Sequence, residues 1–306
     1  MKNLISIIDA PADKLEELLR ISEKLKQLYR VGMQDWALPG KSLIMLFEKP
    51  SLRTRVSFEV AMNGLGGSAV YIKPEDIGGM GKREPVKDMA RVLSRYSDAI
   101  MARTFEHETI LELAAHSRVP VINALTDWLH PCQAMADALT MKEQFKSLEG
   151  VRFAFVGDGN NVCRSLGFAS AKLGMEMKTV SPPGYELDEE SIEKANKVRS
   201  GSVRSVETIK EAISDAQVIY TDTWVSMGQE EQKRQRVEDF EGYQVNSDML
   251  KLAPEGVKVM HCLPAHRGLE ISDEVFESEN SLIFEQAENR LHFQRGLLRK
   301  LLGPEE

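Results

Sequence analysis

The sequence predicts an α/β chain of two domains, each built on a mainly parallel sheet. Three observations predict it. Short apolar runs alternate with helix-length segments along all 306 residues, the signature of βαβ units rather than of hairpins. That length suits about two domains, each long enough to build its own core. The unusual polar clusters mostly follow the apolar runs directly, where open α/β sheets bind ligands.

Residues 11–29 come first and read as an amphipathic helix, with Leu15, Leu18, Leu19, Leu25 and Leu28 on one side. The runs expected as strands are 42–47, 69–72, 99–102 and 119–122, then 152–156, 177–180, 217–220, 257–260 and 282–284. A break near Ser147-Leu148-Glu149-Gly150 divides them into domains 1–147 and 148–285, with 286–306 as a closing helix. Both halves read as Rossmann-like. Polar clusters at strand ends in each half predict one active site in a cleft between them.

Composition narrows the class. With 42% hydrophobic and 28% charged residues, disorder and collagen-like structure are excluded. A net charge of −8 is the wrong sign for a general nucleic-acid binder. Any anion site must therefore be a local concentration of Arg and backbone N–H groups. Cys132, Cys163 and Cys262 are far apart and odd in number, against a disulfide framework or a Cys-based zinc site. The apolar Leu4, Ile5, Ile7 and Ile8 stop at Asp9, too soon for a signal peptide. No stretch approaches the roughly 18 apolar residues of a membrane span. A cytoplasmic protein without membrane or nucleic-acid partners is expected.

The clearest chemistry lies at Ser51-Leu52-Arg53-Thr54-Arg55, after the first strand. Phe58, Ala61, Met62 and Leu65 continue it as a helix, with Ser51 as N-cap and Gly64, Gly66 and Gly67 ending it. A helix N-terminus offers N–H groups and a positive dipole end to phosphate. Arg53 and Arg55 add forked donors. Being two apart, they point in different directions, so one can face a ligand while the other pairs with Glu59. A merely solvated basic turn would oppose the dipole. Further clusters are Arg103-Thr104, His130-Pro131-Cys132-Gln133, Gly157-Asp158-Gly159-Asn160-Asn161, Asp222 with Ser226-Met227-Gly228, and His261-Cys262-Leu263-Pro264.

Taken in order, these motifs resemble those of the aspartate/ornithine carbamoyltransferase family, the ornithine branch most closely. The first looks like the family's Ser-Thr-Arg-Thr-Arg motif. His130-Pro131-Cys132-Gln133, with Ala136-Asp137 after it, looks like His-Pro-x-Gln. Asp222 with Ser226-Met227-Gly228, and His261-Cys262-Leu263-Pro264, look like the ornithine branch's later motifs. The resemblance spans nearly the whole chain. It implies that carbamoyl phosphate and L-ornithine give L-citrulline and phosphate, a reaction of arginine metabolism that needs no metal and no cofactor. It also implies a homotrimer or an assembly of trimers, with Lys82 in a loop that reaches a neighbouring subunit's site.

The resemblance also assigns residues. Ser51, Leu52, Arg53, Thr54, Arg103, His130, Gln133, Cys262, Leu263 and Arg290 would bind carbamoyl phosphate, Arg290 being returned by a C-terminal helix that packs back on the first domain. Asn161, Asp222, Ser226 and Met227 would hold ornithine. Cys262, Arg103, His130 and Asp222 would be catalytic, with Cys262 or Asp222 taking the proton of the attacking amine. The charged segment 229–241 would close over the amine. Leu52 departs from the family's usual Thr, and the loop 76–84 lacks its usual Gln.

Rival readings stay in view. Within the family the amine could be aspartate, putrescine or an acylated ornithine; Cys262 and Ser226-Met227-Gly228 favour free ornithine. Outside it, a non-catalytic nucleotide-binding Rossmann protein would use the Gly157-x-Gly159 turn, but the third glycine of a dinucleotide loop is missing. A metal site at His261, Cys262 and His266 lacks a further ligand pattern.

Overall fold

A computed structural model describes residues 1–225 and 230–304. The chain divides into two compact units, Met1–Leu139 with Asn289–Glu306, and Thr140–Glu288. The chain passes between them inside two helices, Pro131–Phe145 and Ile283–Leu302, rather than through loops.

The first unit holds four parallel strands, β1 (Ser42–Phe47), β2 (Ser68–Ile72), β3 (Ala99–Arg103) and β4 (Val121–Leu125), in the order β2-β1-β3-β4. β3 is buried at every position and β1 at all but its first. That is why both read as unbroken apolar runs: helices cover a parallel sheet on both faces. Met89 and Ala90 of helix Val86–Tyr96, and Ile110 and Leu113 of helix His107–His116, pack on Ile44, Leu46, Ile100 and Val121. Helix Ala12–Arg30 buries Leu15, Leu18, Leu19 and Leu25. Ahead of it, Leu4 is bonded to β4 through Val121 O and the Asn123 N–H.

The second unit holds five parallel strands, β5 (Arg152–Val156), β6 (Glu176–Val180), β7 (Val203–Ser205), β8 (Val218–Thr221) and β9 (Lys258–His261), in the order β7-β6-β5-β8-β9. Ala154, Val156, Ile219, Val259, Val275 and Phe276 form part of its core. Each sheet reverses its winding once, between β1 and β3 and between β5 and β8. Loops diverge at such points and leave a crevice at the carboxyl ends of the strands.

Two expectations fail. The run 282–284 is not a strand. Ser281 makes one parallel bridge to Val259, and the chain then enters helix Ile283–Leu302. A three-residue apolar run fits either state. The edge strand β7 was not foreseen, because Val203-Arg204-Ser205 buries only its first side chain. Among the described residues, no helix is long and apolar enough to cross a membrane.

Candidate active site

In the first unit, the loop after β1 runs through Pro50-Ser51 and the chain turns into helix Leu52–Asn63. Ser51 is the N-cap, its Oγ accepting from the Thr54 N–H at 3.4 Å. The first turn holds no acid, so nothing there neutralises the helix's positive end. Thr54 is fully buried, and its Oγ1 accepts from Ser51 Oγ (3.1 Å) and from Arg290 Nη2 (2.8 Å). Arg290 Nη1 also donates to Gln133 Oε1 at 3.0 Å, while Gln133 Nε2 donates to the buried Asp137 at 2.8 Å. Ser51, Thr54, Gln133 and Arg290 thus form one connected polar network.

Arg103 closes β3 directly beside Phe47 of β1, at the winding reversal. Burial, then the Arg290 and Arg53 guanidiniums, push its pKa down to about 9. His130 is buried and held well below its ordinary 6.5 by burial, then by Arg290, Arg103 and Lys49, so its ring is neutral at pH 7. Both shifts have one physical meaning: several cations share a dry space with too little negative charge. An anion bound there would relieve them.

Arg55 points elsewhere, lying 3.6 Å from Glu59 and over the Tyr71 ring at 4.1 Å. It is therefore the structural arginine of the pair. Leu52 is 75% exposed on the first helical turn, so what it can offer the site is its backbone N–H. Lys49 is a residue that sequence reasoning passed over. It is buried, and its Nζ lies 2.5 Å from Asp127 Oδ1. A lysine directly before Pro50-Ser51 was the available signal.

In the second unit, the loops after β5 and β8 meet at the other winding reversal. Asp222 follows β8 and is buried. Its Oδ2 accepts from Asn160 Nδ2 at 2.7 Å, and its Oδ1 accepts from the Thr223 N–H at 2.7 Å and from Cys262 Sγ at 2.8 Å. Asn160 also caps helix Asn161–Leu173, its Oδ1 accepting from the Val162 and Cys163 N–H groups. Asn161 is the half-buried first residue of that helix. The side chain bonded to Asp222 is thus that of Asn160, next to the Asn161 expected to hold ornithine.

Gly159 has a structural reason. A Cβ there would lie 2.2 Å from Leu187 N, so only glycine lets these backbones meet. The Gly157-x-Gly159 pattern therefore needs no nucleotide to explain it. His261 is similarly committed: Nδ1 accepts from the Leu263 N–H at 2.8 Å, and Nε2 lies 3.1 Å from Glu270 Oε1. Asp222, His261 and Cys262 lie close together, yet both ring nitrogens of that histidine are engaged within the protein.

Ser226 and Met227, with Gly228 and Gln229, lie outside the described residues. Beyond them the chain forms helix Lys233–Asp239. Its Arg236 donates through Nη1 to Asp158 Oδ2 (2.8 Å) and to Trp224 O (2.9 Å). Burial raises the Asp158 pKa, against the pull of Arg236.

Comparison with known proteins agrees with this two-part layout. Residues 2–143 match the family model of the aspartate/ornithine carbamoyltransferase carbamoyl-P binding domain, and residues 149–301 that of the Asp/Orn binding domain. A relative in Archaeoglobus fulgidus, named ornithine carbamoyltransferase, is 50% identical over 305 residues, 100% of this chain and 99% of its own. The solved ornithine carbamoyltransferase of Pyrococcus furiosus superimposes with a TM-score of 0.96 at 44% identity, covering 100% of this chain and 98% of that one. The enzyme of the same name from Thermus thermophilus gives 0.89 at 43% identity, covering 99% of each.

Proposed function

We propose, for a chain that belongs to the aspartate/ornithine carbamoyltransferase family, that it transfers the carbamoyl group of carbamoyl phosphate to the side-chain amine of L-ornithine. The observation that carries this reading is the pairing of chemistries. The first unit concentrates cations and N–H donors, and the second presents the Asp222–Cys262 pair.

The first domain, 1–147 with the returning helix 286–306, takes carbamoyl phosphate, and 148–285 takes ornithine. The phosphate sits at the N-terminus of helix Leu52–Asn63, bound by Ser51, the Leu52 N–H, Arg53, Thr54 and Arg103. Thr54 Oγ1 already accepts twice within the protein, so its own proton is available to a phosphate oxygen. Arg103 and the neutral His130 address the carbonyl oxygen, where negative charge develops. Gln133, Arg290 and the Leu263 backbone fix the rest of the carbamoyl group, and Cys262 borders it.

Ornithine is held by Asn161, Asp222, Ser226 and Met227. Its side-chain amine carries a proton at neutral pH, with a pKa of roughly 10.4 as for lysine. That proton passes to the Cys262–Asp222 pair. The freed nitrogen attacks the carbonyl carbon, an N–C bond forms, the C–O bond to phosphate breaks, and phosphate leaves with the nitrogen's second proton. Catalysis rests on orientation and charge stabilisation. The working molecule is a cytoplasmic homotrimer, or an assembly of trimers.

A citrulline-type assay with a panel of amines tests the reading. Ornithine should give the highest kcat/KM. Faster turnover of putrescine, an acylated ornithine or aspartate would reassign the substrate.

A further inference from the structure

Glu270 is a fully buried carboxylate in the second unit that no step above uses. A buried charge requires partners. Its Oε1 lies 3.1 Å from His261 Nε2 and accepts from the His266 backbone N–H at 2.5 Å. Its Oε2 lies 3.9 Å from His266 Nδ1.

These contacts determine the tautomer of His261. The Leu263 backbone N–H can only donate, so the Nδ1 it meets at 2.8 Å must be the acceptor. The ring proton therefore sits on Nε2 and is donated to Glu270. In the opposite tautomer two donors would face each other at Nδ1, and Nε2 would turn a lone pair towards the carboxylate.

Leu263 has φ 58°, in the left-handed region that a leucine occupies only when its surroundings hold it there. The bond to His261 is such a hold. On the other side of Cys262, the His261 N–H is fixed by Gln286 Oε1 at 2.9 Å. Cys262 is thus pinned before and after, with its Sγ 2.8 Å from Asp222 Oδ1.

We infer that Glu270 is a positioning residue: through the His261 ring it fixes the Leu263 backbone, and with it holds the Cys262 thiol against Asp222. The inference rests on the carbamoyl-transfer reading for its kinetic consequence, while its geometric core stands apart from it. Glu270 touches no substrate, so its effect falls on the orientation of the pair that receives the amine proton.

The test uses the full chain with Glu270→Gln, Glu270→Leu, His261→Asn and His261→Leu. Glutamine retains an oxygen for both donors at Oε1, and leucine retains none. Asparagine retains an acceptor near the Nδ1 position. Glu270→Leu and His261→Leu should each lower kcat/KM for ornithine by roughly 10- to 100-fold, while Kd for carbamoyl phosphate, which loses only its Leu263 backbone contact, rises by less. Glu270→Gln and His261→Asn should recover most of that loss. Nitrogen-15 NMR of wild-type His261 should show its proton on Nε2.

A folded Glu270→Leu protein with wild-type kcat/KM would overturn the proposal, as would a lowered Tm as its sole defect. Should the leucine variants not fold, the wild-type spectrum still decides, because a proton on Nδ1 refutes the arrangement. Wild-type protein that makes no citrulline would instead overturn the reading of function, and leave the tautomer measurement intact.

Discussion

Replacing Arg290 with methionine probes the carbamoyl phosphate half-site at its hub. Arg290 is 4% exposed, and its guanidinium donates to Thr54 Oγ1 at 2.8 Å and Gln133 Oε1 at 3.0 Å. Hydrogen bonds from a charged donor contribute about 1.5–3 kcal/mol each. Part of their loss is offset, because Arg290 also depresses the pKa values of Arg103 and His130, and removing it relieves that repulsion. The net cost to folding should therefore be about 1–3 kcal/mol, less than the two bonds together. Binding has no such offset: the anion loses a cation, and Thr54 and Gln133 lose their orienting partner. Kd for a non-hydrolysable phosphonate analogue should rise by roughly 30- to 150-fold, about 2–3 kcal/mol. Calorimetric titration and urea unfolding measure the two quantities. A folded variant with unchanged Kd would refute the placement of the anion at Thr54 and Arg290.

Two further predictions follow from charge. Arg103 has a folded pKa of about 9, below its ordinary 12.5, and an anion binds its protonated form. Affinity for the analogue should therefore fall as pH rises through about 9, beyond what the ligand's own titration explains; a flat profile from pH 8 to 10 would contradict this. Arg236→Met should leave Asp158 buried without its cation, costing about 3–5 kcal/mol near pH 8. Burial already raises the Asp158 pKa above 3.8, and losing Arg236 raises it further. Protonation then removes the buried charge as pH falls, so the cost should shrink towards pH 5. Urea unfolding at the two pH values checks it, and equal costs would be the wrong result.

The fold was legible because parallel strands covered on both faces leave unbroken apolar runs, such as Leu43–Phe47 beside β3. It was illegible where the signal is short. Leu282-Ile283-Phe284 is as apolar as a strand, yet it opens a 20-residue helix, and β7 buries a single side chain. In the site, Ser51 announced itself as an N-cap through sequence alone. Asn160 did not, since a motif with two adjacent asparagines does not say which turns towards Asp222. Glu270 was invisible for a deeper reason. Its partner His261 is nine positions away, and only tertiary folding shows that the carboxylate is buried. Charge crowding around Arg103 likewise needs four separate segments to converge, including Arg290 from the last helix.

The central claim is transfer of the carbamoyl carbon to the ornithine side-chain nitrogen. Carbon-13-labelled carbamoyl phosphate, incubated with this protein and L-ornithine and followed by NMR, tests it most directly. The account predicts that the label appears in the ureido carbon of citrulline, with one phosphate released for each citrulline formed. Phosphate release without labelled citrulline, or label carried to the α-amino nitrogen, would contradict it.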